Sequence, residues 1–196
     1  MASGFVTSVK EKNMNFKEKG NNFEREVSKL LSLFLSEGKE DDLLYRTASS
    51  GARYTSRKMK GKDTRNQSGD ITSITPEADD FINSVNIEVK HYKDIGLWSL
   101  FTGASNSNIL EFWNQVRRDA DSTSKLPMLI VKQNYKPVLL VTNEIMYNIL
   151  VGHFKYPKVQ IRLANDEIIY LYILNDILKI NPEAFIEDLK TWKRKK

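Results

Sequence analysis

The sequence predicts an α/β protein in which helices flank a mixed β-sheet. Apolar residues recur at helical spacing early in the chain, and short apolar or alternating runs typical of strands follow them. The chain has 196 residues, of which 40% are hydrophobic and 28% charged, an ordinary composition for one globular domain with a sizeable core. We therefore expect a single domain over residues 1–196.

The first half of the chain is expected to hold one helix and three strands. Asn22 can cap the helix, and Gly38 is expected to end it. The apolar stripe of this helix consists of Phe23, Val27, Leu30, Leu31 and Phe34. Strands are predicted at 43–48, 70–75 and 85–92, and the acidic segment 76–80 is expected to form a turn between the last two.

The second half of the chain is expected to mix helices with strand pairs. Residues 95–107 are predicted to form a loop, and the helix after it carries Ile109, Phe112, Trp113, Val116 and Ala120 on one side. Runs at 127–131 and 137–141 predict a hairpin, and further strands are predicted at 159–163 and 168–174. Helices are expected from Thr142 or Asn143 to Gly152 and from Asn181 onward, the latter with Phe185, Leu189 and Trp192 facing inward.

The segment with the most chemical information is Ile87-Glu88-Val89-Lys90. Side chains alternate along a strand, so Glu88, Lys90 and Tyr92 share one face of it. An aspartate at the mouth of the neighbouring strand, Asp70, could meet Glu88 at a divalent cation, because Mg²⁺ prefers carboxylate oxygens. Two carboxylates and a lysine in this arrangement are typical of the active site of a metal-dependent phosphodiesterase. The alternative is an exposed sheet face with cross-strand ion pairs.

With the preceding helix, these residues resemble the PD-(D/E)xK nuclease superfamily, and most of all the Holliday junction resolvases of archaea and their phage relatives. The resemblance covers about the first half of the chain, through Gly20, Glu24-Arg25-Glu26, Ser50-Gly51, Asp70-Ile71 and Ile87-Glu88-Val89-Lys90. It implies a restriction-endonuclease-like fold and a Mg²⁺-dependent endonuclease acting on DNA, in particular branched DNA, with Mn²⁺ able to substitute.

The resemblance also implies roles for individual residues. Asp70, Glu88 and the backbone carbonyl of Val89 would hold metal, Glu24 would complete or tune the metal site, and Lys90 would orient the attacking water or stabilise negative charge. Glu26 flanks the apolar stripe at an angle similar to that of Glu24, so only the spacing from Gly20 favours Glu24. Gln115 is the candidate for a supporting polar residue, and a solvated helix position is its alternative.

A basic insertion at 51–68 departs from the compact pattern of the short resolvases. We expect this insertion to bind DNA phosphates. A solvated or disordered loop is the alternative interpretation. The residues expected to bind DNA are Arg25, Arg53, Arg57, Lys58, Lys60, Lys62 and Arg65. Thirty basic against 25 acidic residues give a net charge of +5, which favours polyanionic partners. Trp98 and Phe101 are expected to be buried, with a stacking platform at distorted DNA as the alternative.

Several other classes of site and of protein are disfavoured. The chain has no cysteine, which excludes disulfides and thiolate chemistry, and its two histidines make a zinc site unexpected. No secretory signal or membrane-spanning run is apparent, so a cytoplasmic location, in a bacterial or phage-infected cell, is expected. A basic tail is predicted at 193–196. Resolution of a junction needs two paired cuts, and one chain is expected to carry one active site. The resemblance to junction resolvases therefore predicts a homodimer. The alternatives are a restriction- or repair-type endonuclease on duplex DNA and a non-catalytic DNA-binding module.

Overall fold

The structure is a computed structural model that describes residues 16–47, 69–102, 107–154 and 157–195. The predicted basic insertion at 51–68 lies outside the described residues, and so does Lys196 at the end of the predicted tail. The insertion residues that this leaves without a structural description are Arg53, Arg57, Lys58, Lys60, Lys62 and Arg65.

Helix α1 spans Phe16–Leu35 and packs its apolar stripe into the core. The predicted start at Asn22 is wrong, because the side chain of Asn22 accepts a hydrogen bond from Arg25 inside the helix instead of capping its first turn. The predicted stop is confirmed. Gly38 lies just past the helix with a left-handed φ of +84°, and its N–H donates to the Leu33 carbonyl at 2.7 Å.

Strands β1 (Leu44–Arg46) and β2 (Ile71–Ser73) pair antiparallel in a small sheet of their own. Both are shorter than predicted. The acidic turn predicted at 76–80 is also wrong: a 3₁₀ turn, Pro76–Ala78, leads into helix α2, Asp79–Ser84. The helix forms because its apolar residues, Phe81 and Ile82, are buried in the core while its acidic residues stay outside.

Within the described residues the main sheet has five strands, in the order β3-β4-β5-β7-β6. They span Val85–Tyr92 (β3), Leu126–Gln133 (β4), Leu139–Asn143 (β5), Val159–Arg162 (β6) and Ile168–Ile173 (β7). Strands β3 and β4 are parallel, and the other neighbours are antiparallel. The predicted mixed sheet flanked by helices, consistent with a restriction-endonuclease-like fold, is therefore confirmed.

The crossover between β3 and β4 contains helices α3 (Leu97–Thr102) and α4 (Asn108–Ser122). Part of the predicted loop at 95–107 is thus helical. The apolar face predicted for α4 is buried in full. The prediction that Trp98 and Phe101 are buried is wrong. Helix α3 turns Leu100 inward and leaves these two residues 80% and 55% exposed.

The remaining helices are α5 (Glu144–Leu150), α6 (Leu174–Ile177) and α7 (Pro182–Arg194). Asn143 caps α5 and Asn181 caps α7, as predicted. Helix α7 continues into the predicted basic tail, where Lys193 donates to the Ser124 carbonyl. One core cluster lies between the sheet and helices α1, α2, α5 and α7, and a second lies under α4. None of the described helices has both the length and the apolar character needed to cross a membrane.

Candidate active site

Strand β3 lies at the edge of the main sheet and carries Glu88 and Lys90 on one face. On the other face, Ile87 and Val89 belong to the core cluster that includes α1. The predicted division of the two faces is therefore observed, with one addition. The charged face is not open to solvent at Glu88, where only 3% of the residue is exposed.

Asp70 is held against this edge by hydrogen bonds to the backbone. Its own N–H donates to the Ile87 carbonyl at 2.8 Å, and its carbonyl accepts from Thr47 N–H at 2.7 Å. Its carboxylate oxygen Oδ2 accepts from the backbone N–H of Val89 at 2.9 Å. These three bonds direct a buried carboxylate toward the backbone on either side of Glu88.

Gly69 makes this approach possible. Its φ of +87° lies in the left-handed region, and a Cβ atom added to it would meet the Ile87 carbonyl oxygen at 2.6 Å. The displaced backbone would carry Asp70 with it, since the N–H of Asp70 bonds to that same carbonyl. A side chain at position 69 is therefore incompatible with the observed position of Asp70.

The carboxylate of Glu88 is surrounded by specific partners. It forms an ion pair with Lys90, and its Oε1 atom accepts a hydrogen bond from Gln115 Nε2 at 2.7 Å. Burial, followed by the nearby charge of Asp70, raises the pKa of Glu88 to about 7. Two acids that share one buried site repel each other, so the site stabilises an added positive charge.

Lys90 already supplies one such charge. Burial alone would lower the pKa of Lys90, but the carboxylates of Glu88 and Asp70 together outweigh it and raise that pKa. Its ammonium nitrogen also lies 5.8 Å from the centre of the Phe112 ring, within cation–π range. Lys90 therefore stays protonated at neutral pH, as a donor and a positive charge.

The structure places Glu24, and not Glu26, beside this cluster. Glu24 Oε2 accepts from Arg46 Nε at 2.8 Å, and the pKa of Glu24 is raised by partial burial and by the charge of Asp70. Glu26 is exposed and pairs with Lys132 at 3.4 Å. Glu24 therefore lies on the side of Asp70, and Glu26 is turned toward Lys132.

The residues so assembled fit a hard divalent cation through oxygen donors. Ile87 and Val89 direct their backbone groups to the Asp70 side of β3, because Ile87 accepts from Asp70 and Val89 donates to it. The Val89 carbonyl therefore faces the same edge as the two carboxylates. Among the described residues, no three acidic or histidine side chains group closely enough to hold a metal by themselves.

Three neighbours of the site were not predicted. Arg46 binds both Glu24 and the Asn21 side chain, the latter at 2.8 Å, and no motif marks it in the sequence. The charge of Asp119 contributes to the raised pKa of Glu88. Its position four residues after Gln115 on α4 was a usable signal, because such residues share a helix face.

The third unpredicted neighbour is Asn86, two residues before Glu88 on the same strand face. It is fully buried, and within the described part of the chain neither atom of its amide makes a hydrogen bond. The alternation of β3 is enough to place Asn86 on the same face as Glu88. Nothing in the sequence indicated that its amide would be buried.

The remaining predicted site residues stand as follows. Gln115 faces β3 and not solvent, which its hydrogen bond to Glu88 requires. Arg25 is exposed on α1, where it donates to Asn22 at 3.2 Å. The structure therefore brings together Asp70, Glu88, Lys90 and Gln115, with Glu24 nearby, whereas Arg25 lies apart on the surface.

Comparison with protein families gives a match to a family of endonucleases. The family described as "Phage putative PDDEXK endonuclease" matches residues 15–187, which include every described residue of the site. No curated protein and no solved structure matches the chain significantly. The family match covers far more than half of the chain, and the chain therefore belongs to the phage putative PDDEXK endonuclease family, within the PD-(D/E)xK superfamily.

Proposed function

We propose that this protein is a metal-dependent endonuclease that hydrolyses phosphodiester bonds in DNA. The observation that carries the proposal is the convergence of Asp70, Glu88 and Lys90 at one edge of the sheet, inside the region that matches an endonuclease family. Asp70 and Glu88 would hold Mg²⁺, or Mn²⁺ in its place, together with the carbonyl of Val89. A bound ion of this kind supplies an activated water and neutralises phosphate charge.

The residues of the chain would each have a distinct part in that reaction. Gln115 keeps one oxygen of Glu88 oriented, which fixes the direction in which the carboxylate presents its other oxygen. Lys90, which stays protonated, is suited to hold the scissile phosphate and to stabilise the negative charge that develops on it. A protonated lysine cannot accept a proton from water, so Lys90 would orient the attacking water as a donor or stabilise negative charge, without acting as a base.

Glu24 would tune the site from its rim. Its carboxylate neutralises Arg46 in the structure, and both side chains are only partly buried. An arginine at this place is suited to a DNA phosphate, because its planar donors match phosphate oxygens. We expect Glu24→Gln to impair cutting, since it removes a charge that acts on Asp70 and leaves Arg46 without its carboxylate partner.

The proposed substrate is branched DNA, by resemblance to the junction resolvases, and the proposed cellular setting is the cytoplasm of a bacterial or phage-infected cell. Incubation of the protein with a labelled four-way junction, a linear duplex and a single strand, each with Mg²⁺ or EDTA, tests this. Cutting of the junction in the samples with Mg²⁺, and not in those with EDTA, supports the proposal. Cutting of duplex only would instead indicate a restriction- or repair-type enzyme, and binding without cutting a non-catalytic DNA-binding module.

The proposed assembly is a homodimer, because resolution of a junction needs paired cuts and each chain carries one site. Sedimentation equilibrium with and without junction DNA tests it. A species that is dimeric in either state supports a junction resolvase. A species that stays monomeric in both would contradict the junction assignment and leave the more general nuclease function in place.

A further inference from the structure

Helix α3, which follows the strand of the candidate active site in the chain, exposes two aromatic rings. Trp98 is 80% exposed and Phe101 55% exposed, and their ring centres lie 5.7 Å apart. A bound partner that covered both rings would remove their apolar area from water, which is favourable. We call Trp98 and Phe101 the aromatic surface.

The base of the aromatic surface is a buried apolar cluster. On the inner side of α3, Leu100 is buried among Ile109, Phe112 and Trp113 of α4. The N–H of Ile109 donates to the Ile95 carbonyl at 3.0 Å, which ties the start of α4 to the segment just before α3. Both leucines of α3 pack against this cluster, so the large apolar side chains that α3 exposes are the two aromatic ones.

Contacts connect this base to the catalytic face of β3. The rings of Tyr92 and Phe112 lie 4.9 Å apart, and Lys90 Nζ lies 5.8 Å from the Phe112 ring. Along α4, Ile109 and Gln115 are separated by roughly 9 Å at the usual rise of the helix. One helix, α4, therefore carries both part of the buried cluster under the aromatic surface and the residue that orients Glu88.

We propose that the aromatic surface stacks on unpaired nucleobases of the DNA substrate, next to the phosphodiester that is cut. This deepens the proposed nuclease function and rests on it. Flat, solvent-exposed rings match the faces of nucleobases, which stack on aromatic side chains regardless of sequence. Bases in a duplex already stack on each other, so the surface selects DNA with unpaired bases, as in branched, bulged or frayed DNA.

Binding measured in EDTA, where no cutting occurs, tests this. The probes are a duplex, the same duplex with splayed single-stranded arms, and the splayed form with abasic arms, which keeps the phosphates and removes the bases. The wild-type protein should prefer the splayed form, and abasic arms should remove that preference. The double variant Trp98→Ala/Phe101→Ala should bind the splayed form roughly tenfold more weakly, in line with base–aromatic stacking energies, and bind duplex unchanged.

Two controls keep the result specific. Ile145→Ala removes an exposed apolar side chain, 44% accessible, from α5 on the opposite side of the sheet and should bind all three probes like wild type. Trp98→Phe retains a stacking ring and should keep most of the preference. Splayed DNA should also quench the fluorescence of the exposed Trp98, whereas Trp113 is fully buried and out of reach of the DNA. The variant Trp98→Phe should abolish this quenching. This readout does not depend on whether the double variant folds.

The proposal is overturned if wild type binds splayed and abasic arms equally, or if the double variant keeps the full preference. It is also overturned if the double variant only converts a dimer into a monomer, which would assign the surface to a second copy of the chain. Failure of the nuclease function is distinguished separately: no cutting with Mg²⁺ despite base-dependent binding would overturn the nuclease function and leave the stacking surface standing.

Discussion

At the residue scale, the site depends on a buried carboxylate whose charge is stabilised by specific neighbours. Glu88 is held between Lys90 and Gln115, and Asp70 faces the Val89 amide. The strand alternation and the acid-x-lysine spacing predicted the placement of Glu88 and Lys90. They could not predict Arg46 or the buried amide of Asn86, because these positions depend on which elements pack against β3, and the side chains themselves carry no motif.

Gln115 supports Glu88 by a single hydrogen bond, and the effect of removing that bond should be measurable. Gln115→Leu keeps the size of the side chain and removes the donor, so we expect metal affinity or cutting to fall by roughly 10- to 100-fold. Titration of Mn²⁺ measured by calorimetry or electron paramagnetic resonance checks the affinity. Asn114→Ala, at the exposed neighbouring position, should leave it unchanged. Equal affinities for Gln115→Leu and wild type would contradict the assigned contact.

The raised pKa of Glu88 predicts a pH dependence of the metal-free protein. Its folded pKa of about 7 exceeds the usual value of 4.5, so the stability that the protonated group contributes is present below pH 4.5 and is lost as the pH rises through 7. Relative to Glu88→Gln, wild type should lose up to about 3 kcal/mol of unfolding free energy across this window. Urea unfolding in EDTA between about pH 5 and pH 8 measures the difference. A difference that does not change with pH would contradict a buried, desolvated Glu88.

At the element scale, the sequence predicted the helices and strands with clear periodicity and missed those with mixed signals. The buried face of α4 could be predicted because five apolar residues recur at helical spacing. Helix α2 could not be predicted, because its two aspartates and the preceding proline are typical of a turn. The helix is favoured by the burial of Phe81 and Ile82, which depends on tertiary packing. The prediction that Trp98 is buried is wrong for a related reason, since a short helix can turn only one side inward.

Gly69 tests how the elements position Asp70. Gly69→Ala should unfold more easily, by at least about 2 kcal/mol, and should lose cutting even where it remains folded, because the left-handed backbone and the Ile87 carbonyl leave no room for a Cβ atom. Thermal unfolding and cleavage of the same DNA provide the two readouts. Gly20→Ala in α1 is the matched control. A Cβ atom there meets nothing within 4 Å, so this variant should gain about 0.5–1 kcal/mol. Normal stability and cutting by Gly69→Ala would contradict the assigned geometry.

At the scale of the whole molecule, the sequence predicted a mixed sheet but not the order of its strands. The pairing of β3 with β4 through a helical crossover places the strand of the candidate site at an edge, next to the separate two-stranded sheet of β1 and β2. Pairing order depends on long-range packing, to which a single sequence gives only local clues. The net charge of +5, by contrast, is a property of the entire chain and favours polyanionic partners in general.

The basic insertion should contribute to DNA binding through phosphates. Neutralising Arg57, Lys58, Lys60 and Lys62 together should weaken binding similarly for different DNA sequences. For every phosphate that the variant no longer binds, the slope of log affinity against log salt concentration should flatten by about 0.9 for duplex DNA. Lys179→Ala, at an exposed lysine paired with Asp176, serves as the control and should keep the wild-type slope. An unchanged slope in the insertion variant would assign the segment to a solvated loop.

If Asp70, Glu88 and Lys90 form the nuclease site, substitutions at these residues should stop the cleavage of DNA and leave its binding intact. Cutting of labelled DNA at millimolar Mg²⁺ is compared for wild type, Asp70→Asn, Lys90→Ala and Glu26→Gln, with DNA affinity measured in EDTA alongside. Asp70→Asn and Lys90→Ala should each cut at least about 100-fold more slowly with binding retained, and Glu26→Gln, whose side chain lies outside the site, should cut like wild type. Full turnover by Asp70→Asn would contradict the proposed site.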